Sequence, residues 1–211
     1  MVRRRKVGPN NRSYTGRHVT GDGENTVRYE SKLERDLLIL LESRPGVLEI
    51  TEQPFTLEFV DSTGRKKTYT PDFLVRYADK TSIYEVKFKD ELKKNWDRYR
   101  EPYFYARSWA KQNGMRFRIM TEKAIRTLRT ENFRVLRPFL RVEPDADTVQ
   151  QILNGLAEGP WTIGRLAKDL YPNVEERGLF WQAMWVLLVQ GRLTGDFDRF
   201  PLGMDFVVWR T

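Results

Sequence analysis

The sequence contains no cysteine and a single histidine, His18. The lack of cysteine excludes disulfide scaffolds, thiolate zinc sites and cysteine nucleophiles. One histidine cannot supply a site built on several imidazoles, so a metal would be held mainly by oxygen ligands, as magnesium and manganese are. We interpret His18 as an incidental residue of a polar, glycine-containing N-terminal stretch.

Long hydrophobic runs are missing as well. No run of about 18 apolar residues occurs, and the basic start "MVRRRKVGPNNR" is not followed by an apolar signal core. These absences predict a soluble, cytoplasmic protein without a membrane partner. Hydrophobic residues make up 40% of the chain and aromatic residues 13%, which is enough for a folded core.

Positive charge is concentrated in the middle of the chain, whose formal net charge is +8. Residues 87–141 contain 16 Lys and Arg against 6 Asp and Glu, whereas residues 142–211 contain 6 against 10. A concentrated basic block indicates a polyanionic partner, most simply nucleic acid. Because the last third does not share this excess, we predict two modules with different partners.

Changes in residue pattern predict three segments. Residues 1–26 have no hydrophobic period and read as a flexible basic arm. Residues 27–141 begin with the leucine-rich helix "SKLERDLLILLES" and continue with alternating strands such as "KKTYTPDFLVRY" and "SIYEVKFK". They then predict a helix over about 91–113 with a kink or break at Pro102. After the acidic "VEPDAD", residues 142–211 show three helical patterns and a terminal hairpin, the outline of a winged helix.

Three charged residues stand in or beside the predicted strands: Asp72 in "TPDF", and Glu85 and Lys87 in "YEVKF". Because side chains alternate along a strand, Glu85 and Lys87 share one face, and an antiparallel neighbour brings Asp72 close to Glu85. Two carboxylates, the carbonyl oxygen of Val86 and a lysine are the groups that metal-assisted phosphodiester hydrolysis uses. We predict a site for Mg²⁺, with Mn²⁺ as a substitute.

Each of these candidates also has an ordinary interpretation. Glu34 lies at helical spacing from two leucines and can face the metal, but "SKLE" is also a capping box in which Glu34 bonds back to its helix start. Asp72 alone could be a turn residue after proline, and Glu85 with Lys87 a solvated strand face. The joint occurrence of the motifs favours the nuclease interpretation.

The basic segment "KFKDELKKNWDRYR" predicts contacts with DNA phosphates, although a solvated helix face is the alternative. The residues concerned are Lys89, Lys93, Lys94, Arg98 and Arg100. The acidic balance of residues 142–211 argues against a phosphate-driven interface there. For that module we predict protein docking, with DNA binding as the alternative.

The motifs "YESKLERDLLILLE", "VLEITEQPF", "YTPDFLV" and "YEVKFKDEL" resemble the TnsA family, the endonuclease subunits of heteromeric bacterial transposases, within the restriction-endonuclease-like superfamily. The resemblance covers roughly residues 29–92. It implies an α/β nuclease domain, with a mixed sheet flanked by helices, followed by a small winged-helix domain. It also implies magnesium-dependent cleavage at the 5′ ends of a transposon in double-stranded DNA, on the bacterial nucleoid. The implied partners are a DDE-type transposase that cuts the 3′ ends and an AAA+ ATPase regulator that binds the C-terminal domain.

Residue by residue, the resemblance implies that Glu34 is a metal-facing acid, Asp72 the central ligand and Lys87 the catalytic lysine. Glu85 stands where some members carry Gln, and Gln53 in "EQPF" matches a family feature as an active-site neighbour. Whether Lys87 acts as a base or stabilises charge stays open. Two other functions stay open as well: a phage or repair nuclease or junction resolvase of the same fold, and a non-catalytic adaptor between DNA and a regulator.

Overall fold

The structure is a computed structural model that describes residues 15–19 and 26–211. The chain divides into two compact units, Met1–Arg126 and Thr127–Thr211. Most of the predicted arm, residues 1–14 and 20–25, lies outside the described residues. No helix in the described ranges is long and apolar enough to cross a membrane.

The described part of the first unit alternates short strands with four helices. In chain order its elements are β1 (Gly16–Val19), β2 (Thr26–Tyr29), α1 (Lys32–Glu42), β3 (Val47–Glu52), β4 (Leu57–Val60), β5 (Lys66–Tyr69), β6 (Phe73–Tyr77), β7 (Thr81–Val86), α2 (Lys89–Lys94), α3 (Trp96–Gln112), β8 (Arg116–Met120) and α4 (Glu122–Ile125). β1 pairs with β2, and β4 pairs with β5, as separate two-stranded ribbons.

A four-stranded mixed sheet with the order β3-β6-β7-β8 forms the centre of this unit. β3, β6 and β7 are antiparallel neighbours, whereas β8 runs parallel to β7. A parallel pair needs a crossover connection, which α2 and α3 provide. This mixed sheet flanked by helices confirms the predicted α/β class and is consistent with a restriction-endonuclease-like fold.

Helices cover both faces of the sheet because the central strands carry apolar side chains on both sides. On one face, the leucines of α1 pack with Phe73, Val75 and Tyr84. On the other face, α3 packs Tyr103 against Ile83. β7 is buried along almost its whole length, as expected of a central strand. An ionisable residue in this strand therefore has to find partners within the protein.

The N-terminal stretch contributes the β1–β2 hairpin, in which His18 stands opposite Val27. His18 is 3% exposed, and its Nε2 lies 2.9 Å from Oε1 of Glu42. The prediction of an incidental histidine in a flexible arm is therefore wrong for residues 16–19. The reason is that a short polar strand becomes ordered once a partner strand and a helix cover one of its faces.

The helix predicted over about 91–113 is in fact two helices, and the break is at Asn95. Pro102 lies inside α3. A proline within a helix costs about 3 kcal/mol. Burial of Tyr103, Ala106 and Ala110 against the sheet opposes this cost and holds α3 together through the proline.

The second unit consists of helices and a small sheet. Its elements are α5 (Leu128–Leu136), a 3₁₀ turn (Arg137–Phe139), α6 (Ala146–Gly155), β9 (Trp161–Thr162), α7 (Ile163–Leu170), a second 3₁₀ turn (Val174–Glu176), α8 (Arg177–Val189), β10 (Leu193–Thr194) and β11 (Val207–Arg210). β11 pairs antiparallel with both β10 and β9. From α6 onwards the order is helix, strand, helix, helix, strand, strand, which suits a winged helix; that assignment stays a prediction.

The second unit begins at Thr127, whereas the acidic "VEPDAD" predicted a boundary between residues 141 and 142. The difference arises because α5 belongs to the core of the second unit. The ring of Phe133 on α5 lies 6.3 Å from that of Phe197, centroid to centroid. A charged connecting segment is thus not a domain boundary when the helices on its two sides share one core.

Asn132, also on α5, holds the loop between β10 and β11. Its Nδ2 donates to the carbonyl oxygens of Phe197 and Phe200 at 3.0 and 2.8 Å. Its Oδ1 accepts from the backbone amide of Leu202 at 2.9 Å. The side chain is 3% exposed, so these bonds are shielded from water.

Asn132→Ala is expected to lower the free energy of unfolding of the second unit by about 3 kcal/mol, because buried backbone groups lose their partners. Gln150→Ala is the control: Gln150 is exposed, its amide donates to Oδ1 of Asn154 on the surface of α6, and we expect a change below about 0.5 kcal/mol. Urea unfolding followed by tryptophan fluorescence measures both. Equal effects of the two substitutions would contradict the role given to Asn132.

Candidate active site

The start of β6 and the end of β7 bring the predicted acids together. Phe73 is paired with Tyr84, which places Asp72 level with Glu85. Oδ2 of Asp72 accepts a hydrogen bond from the backbone amide of Val86 at 2.6 Å. Two motifs that are separate in the sequence therefore form one cluster of Asp72, Glu85, Val86 and Lys87, the β6–β7 site.

Lys87 lies among oxygen atoms of this site. Its Nζ is 2.9 Å from Oε1 of Glu85, 3.0 Å from the carbonyl oxygen of Val86 and 4.0 Å from Oδ2 of Asp72. The side chains of Asp72 and Lys87 are 20% and 22% exposed, so a ligand can reach them. An ammonium group held by carboxylate and carbonyl oxygens shows that this donor set accepts a cation.

Glu85 is held from the α3 side of the sheet. It is 4% exposed, and its carboxylate accepts the hydroxyl of Tyr69 at 2.6 Å and that of Tyr103 at 2.9 Å. Hydroxyl donors of this kind satisfy a carboxylate that water cannot reach. The sequence interpretation missed both contacts. The available signal was the need of a buried glutamate for donors, which tyrosines on neighbouring elements can supply.

Crowding of charges shifts the pKa values in the site. Burial, followed by the charge of Glu85, raises the pKa of Asp72 well above its ordinary value. Burial lowers the pKa of Lys87, but the charges of Asp72 and Glu85 outweigh it and the pKa is raised overall. Burial and the charge of Glu85 also raise the pKa of Tyr69 and Tyr103. At neutral pH Lys87 is therefore an ammonium ion and both tyrosines are donors.

Glu34 bonds back to the start of α1. Its Oε2 accepts from the backbone amide of Glu30 at 2.7 Å and its Oε1 from the hydroxyl of Ser31 at 2.9 Å, while Ser31 Oγ accepts from the Glu34 amide at 3.1 Å. The capping contact is thus formed. The same carboxyl lines a cavity of about 350 Å³ together with Asp72, and burial raises its pKa. Glu34 reaches the site, but its oxygens are engaged by its own helix terminus.

Gln53 connects the end of β3 with the start of β6. Its φ of +40° lies in the left-handed region, which is rare for a residue other than glycine. Its backbone amide donates to the carbonyl of Asp72 at 2.8 Å, and its Nε2 donates to Oε1 of Glu30 at 3.0 Å. Its own Oε1 is buried without a donor in the described part of the chain. Gln53 therefore fixes the backbone that carries Asp72.

The oxygen atoms of the β6–β7 site suit a hard divalent cation. Carboxylates and a backbone carbonyl are the ligands that such ions prefer, and Asp72, Glu85 and Val86 provide them beside a bound ammonium group. Among the described residues, no three Asp, Glu or His side chains form a ready metal-binding group. The reason is that Glu34 faces the start of α1 and Glu85 faces the tyrosines.

The predicted DNA-contacting residues lie on α2 and α3. Lys89 is partly buried, and the other four are exposed: Lys93, Lys94, Arg98 and Arg100. The charges of Lys123 and Lys93 lower the pKa of Lys89, which is a sign of crowded positive charge. Arg100 also lines a groove of about 830 Å³ with Trp96 and Phe104. The contacts with DNA stay a prediction.

A protein-family model described as "TnsA-like endonuclease N terminal" matches residues 44–122. The matched segment contains the whole β6–β7 site and Gln53, whereas Glu34 lies before it. It covers less than half of the 211 residues. No curated protein matches the chain. The family resemblance read from the sequence motifs is confirmed for this segment.

Asp72→Asn is expected to raise the free energy of unfolding in metal-free solution at neutral pH by about 1 kcal/mol, because the amide still accepts from Val86 but is not charged. The raised pKa means that folded Asp72 binds a proton more tightly than unfolded Asp72. Its penalty is absent below the ordinary pKa of 3.8 and grows as the pH rises through the folded-state value.

Urea unfolding in EDTA, at neutral pH and near pH 4, measures this gain. Asp79→Asn serves as the control, because the side chain of Asp79 is 72% exposed. A gain of equal size at both pH values, or a loss of stability, would count against a desolvated carboxylate at position 72.

Proposed function

Because the chain carries a TnsA-like endonuclease N-terminal domain, we propose that it is a Mg²⁺-dependent DNA endonuclease that cleaves the 5′ ends of a transposon. Double-stranded transposon ends are the substrate, and a DDE-type transposase subunit is the partner that cuts the other strand. The observation that carries this proposal is the convergence of Asp72, Glu85 and Lys87 with the carbonyl of Val86.

In the proposed mechanism, Asp72, Glu85 and the carbonyl of Val86 would hold Mg²⁺, or Mn²⁺ in its place, and Glu34 would be a further acid if it left its capping contact. The chemistry that such an ion would supply is polarisation of the scissile phosphate and a lower pKa of a bound water. Lys87 stabilises the negative charge that develops on the phosphate oxygens.

Other residues position these groups. Tyr69 and Tyr103 orient Glu85 through their hydroxyls, and Gln53 holds the backbone of Asp72. The exposed cations of α2 and α3 contact backbone phosphates and align the duplex without reading bases. Their crowding beside Lys123 supports a polyanion surface.

The second unit, in this proposal, is a winged helix that binds an AAA+ ATPase regulator rather than DNA. From Thr127 onwards the unit contains 10 Lys and Arg against 11 Asp and Glu, and the acidic excess, 6 against 10, lies in residues 142–211. Protein docking is therefore proposed for the part of the unit that begins at α6, because neutralising phosphates requires Lys and Arg. The order of helices and strands from α6 to β11 supports the winged helix. The complex would act on the nucleoid in the bacterial cytoplasm.

Asp72→Ala and Lys87→Ala are each expected to reduce cleavage at transposon ends by about 100-fold or more, with DNA binding retained. Asp79→Ala, which removes an exposed acid in the β6–β7 turn, should cleave normally. The assay maps 5′ ends on a plasmid that carries the transposon ends, in the presence of a DDE-type transposase and an AAA+ ATPase of the same transposon. EDTA should stop cleavage, and added Mg²⁺ or Mn²⁺ should restore it.

Two results would favour the other functions. Full cleavage without any partner protein would indicate a phage or repair nuclease, or a junction resolvase, of the same fold. The non-catalytic adaptor is supported by the capping contact of Glu34, because that contact engages both carboxylate oxygens that a metal ion would need. The adaptor function requires that Asp72→Ala leave transposition unchanged, whereas the nuclease function requires that the same variant abolish cleavage. This variant therefore rules out one of these two functions.

A further inference from the structure

Two arginines face each other across the β1–β2 hairpin. Arg17 stands directly opposite Arg28 in the antiparallel register, and both are exposed. Like charges at opposed positions destabilise a pair of strands. Within residues 15–19 and 26–211, neither guanidinium forms a hydrogen bond or an ion pair, although four acidic residues line the same cavity.

Both arginines line the cavity of about 350 Å³ that also contains Asp72 and Glu34. The remaining charged residues of its lining are Glu30 and Glu52. The cavity therefore has an acidic wall, which attracts a metal ion and repels a phosphate, and a cationic wall contributed by the hairpin. A DNA strand carries a negative charge at every phosphate, so it can approach these acids only if positive charge compensates.

We propose that Arg17 and Arg28 form a clamp for a DNA backbone phosphate beside the scissile one. The planar guanidinium group matches a phosphate with two parallel hydrogen bonds, and a phosphate between two such groups cancels their repulsion. The clamp rests on the proposed function and adds a contact surface separate from α2 and α3. Because phosphate contacts carry no sequence information directly, it aligns the strand with the acids without selecting a sequence.

The opposite face of the hairpin is fixed to the first unit, which keeps the clamp in place. His18 pairs with Glu42 on α1 at 2.9 Å, and Val27 is 2% exposed within the core. The ring of Tyr29 lies against Gly16, where any Cβ atom would collide with it. The arginines are thus presented from a fixed ribbon toward the cavity of Asp72.

The test measures DNA affinity against salt for the full chain carrying Asp72→Ala, in EDTA, so that no cleavage occurs. The probe is a fluorescein-labelled random-sequence duplex, followed by anisotropy. Each phosphate contact contributes about 0.9 to the slope of log affinity against log salt. Because the two arginines hold one phosphate, Arg17→Gln with Arg28→Gln should reduce the slope by about 0.9 and weaken binding at every salt concentration.

The matched control is Arg65→Gln with Lys66→Gln, which removes the same charge from the exposed start of β5, outside the cavity, and should leave the slope unchanged. Arg17→Lys with Arg28→Lys keeps the charges and should restore the slope. An unchanged slope in the glutamine pair, an equal loss in the control pair, or a lysine pair that fails to restore the slope overturns the clamp.

Failure of the clamp can be distinguished from failure of the proposed function. Binding in EDTA involves no chemistry, so the clamp is decided by the salt slope alone. The nuclease is decided by Mg²⁺-dependent cleavage with Asp72 intact. If the protein cleaves DNA but the glutamine pair leaves the slope unchanged, the clamp is rejected and the nuclease function stands. If the glutamine pair lowers the slope but the protein does not cleave, the protein binds DNA through the clamp and the nuclease function is rejected.

Discussion

The backbone amide of Val86 donates to Asp72 at 2.6 Å, and the carbonyl of the same residue accepts from the side chain of Lys87 at 3.0 Å. β6 starts only after Asp72, so a side-chain carboxylate continues the hydrogen bonding where the ladder between β6 and β7 ends. Residue 86 thereby fixes an acid through its amide and a cation through its carbonyl. Glu85 joins because strand alternation places it beside Asp72. Without this bond Asp72 would lose its fixed position beside Glu85 and Lys87.

The first unit accommodates charges that a core ordinarily excludes. Two hydroxyls from the α3 side satisfy Glu85, the start of α1 holds Glu34, and an ammonium group lies between the acids of the sheet. Even so, burial and mutual repulsion leave Asp72 with a raised pKa, so the pairing is incomplete. A site that keeps unfavourable charge in the folded state is typical of function opposing stability.

Local patterns in the sequence predicted most of the first unit and of the site. The leucine period indicated α1. The period of two in the strands, together with antiparallel pairing through a short turn, placed Asp72 beside Glu85. The contacts of Tyr103 could not be predicted in the same way, because they depend on how α3 crosses the sheet. The β1–β2 hairpin was missed because its strands are short and polar, and their contacts are with elements distant in the sequence pattern, such as α1. The boundary at Thr127 was missed because composition shows where a chain is charged, not which helix packs with which core.

β7 is an interior strand, hydrogen-bonded to β6 on one side and to β8 on the other. The parallel neighbour β8 comes after the α2–α3 crossover in the chain, so the ribosome releases the acids well before the strand that completes their sheet. Until Met120 has emerged, one edge of β7 stays open to unwanted pairing. The topology thus delays the finished site until β8 has been translated, and a shorter nascent chain carries the acids without yet holding them in a completed sheet.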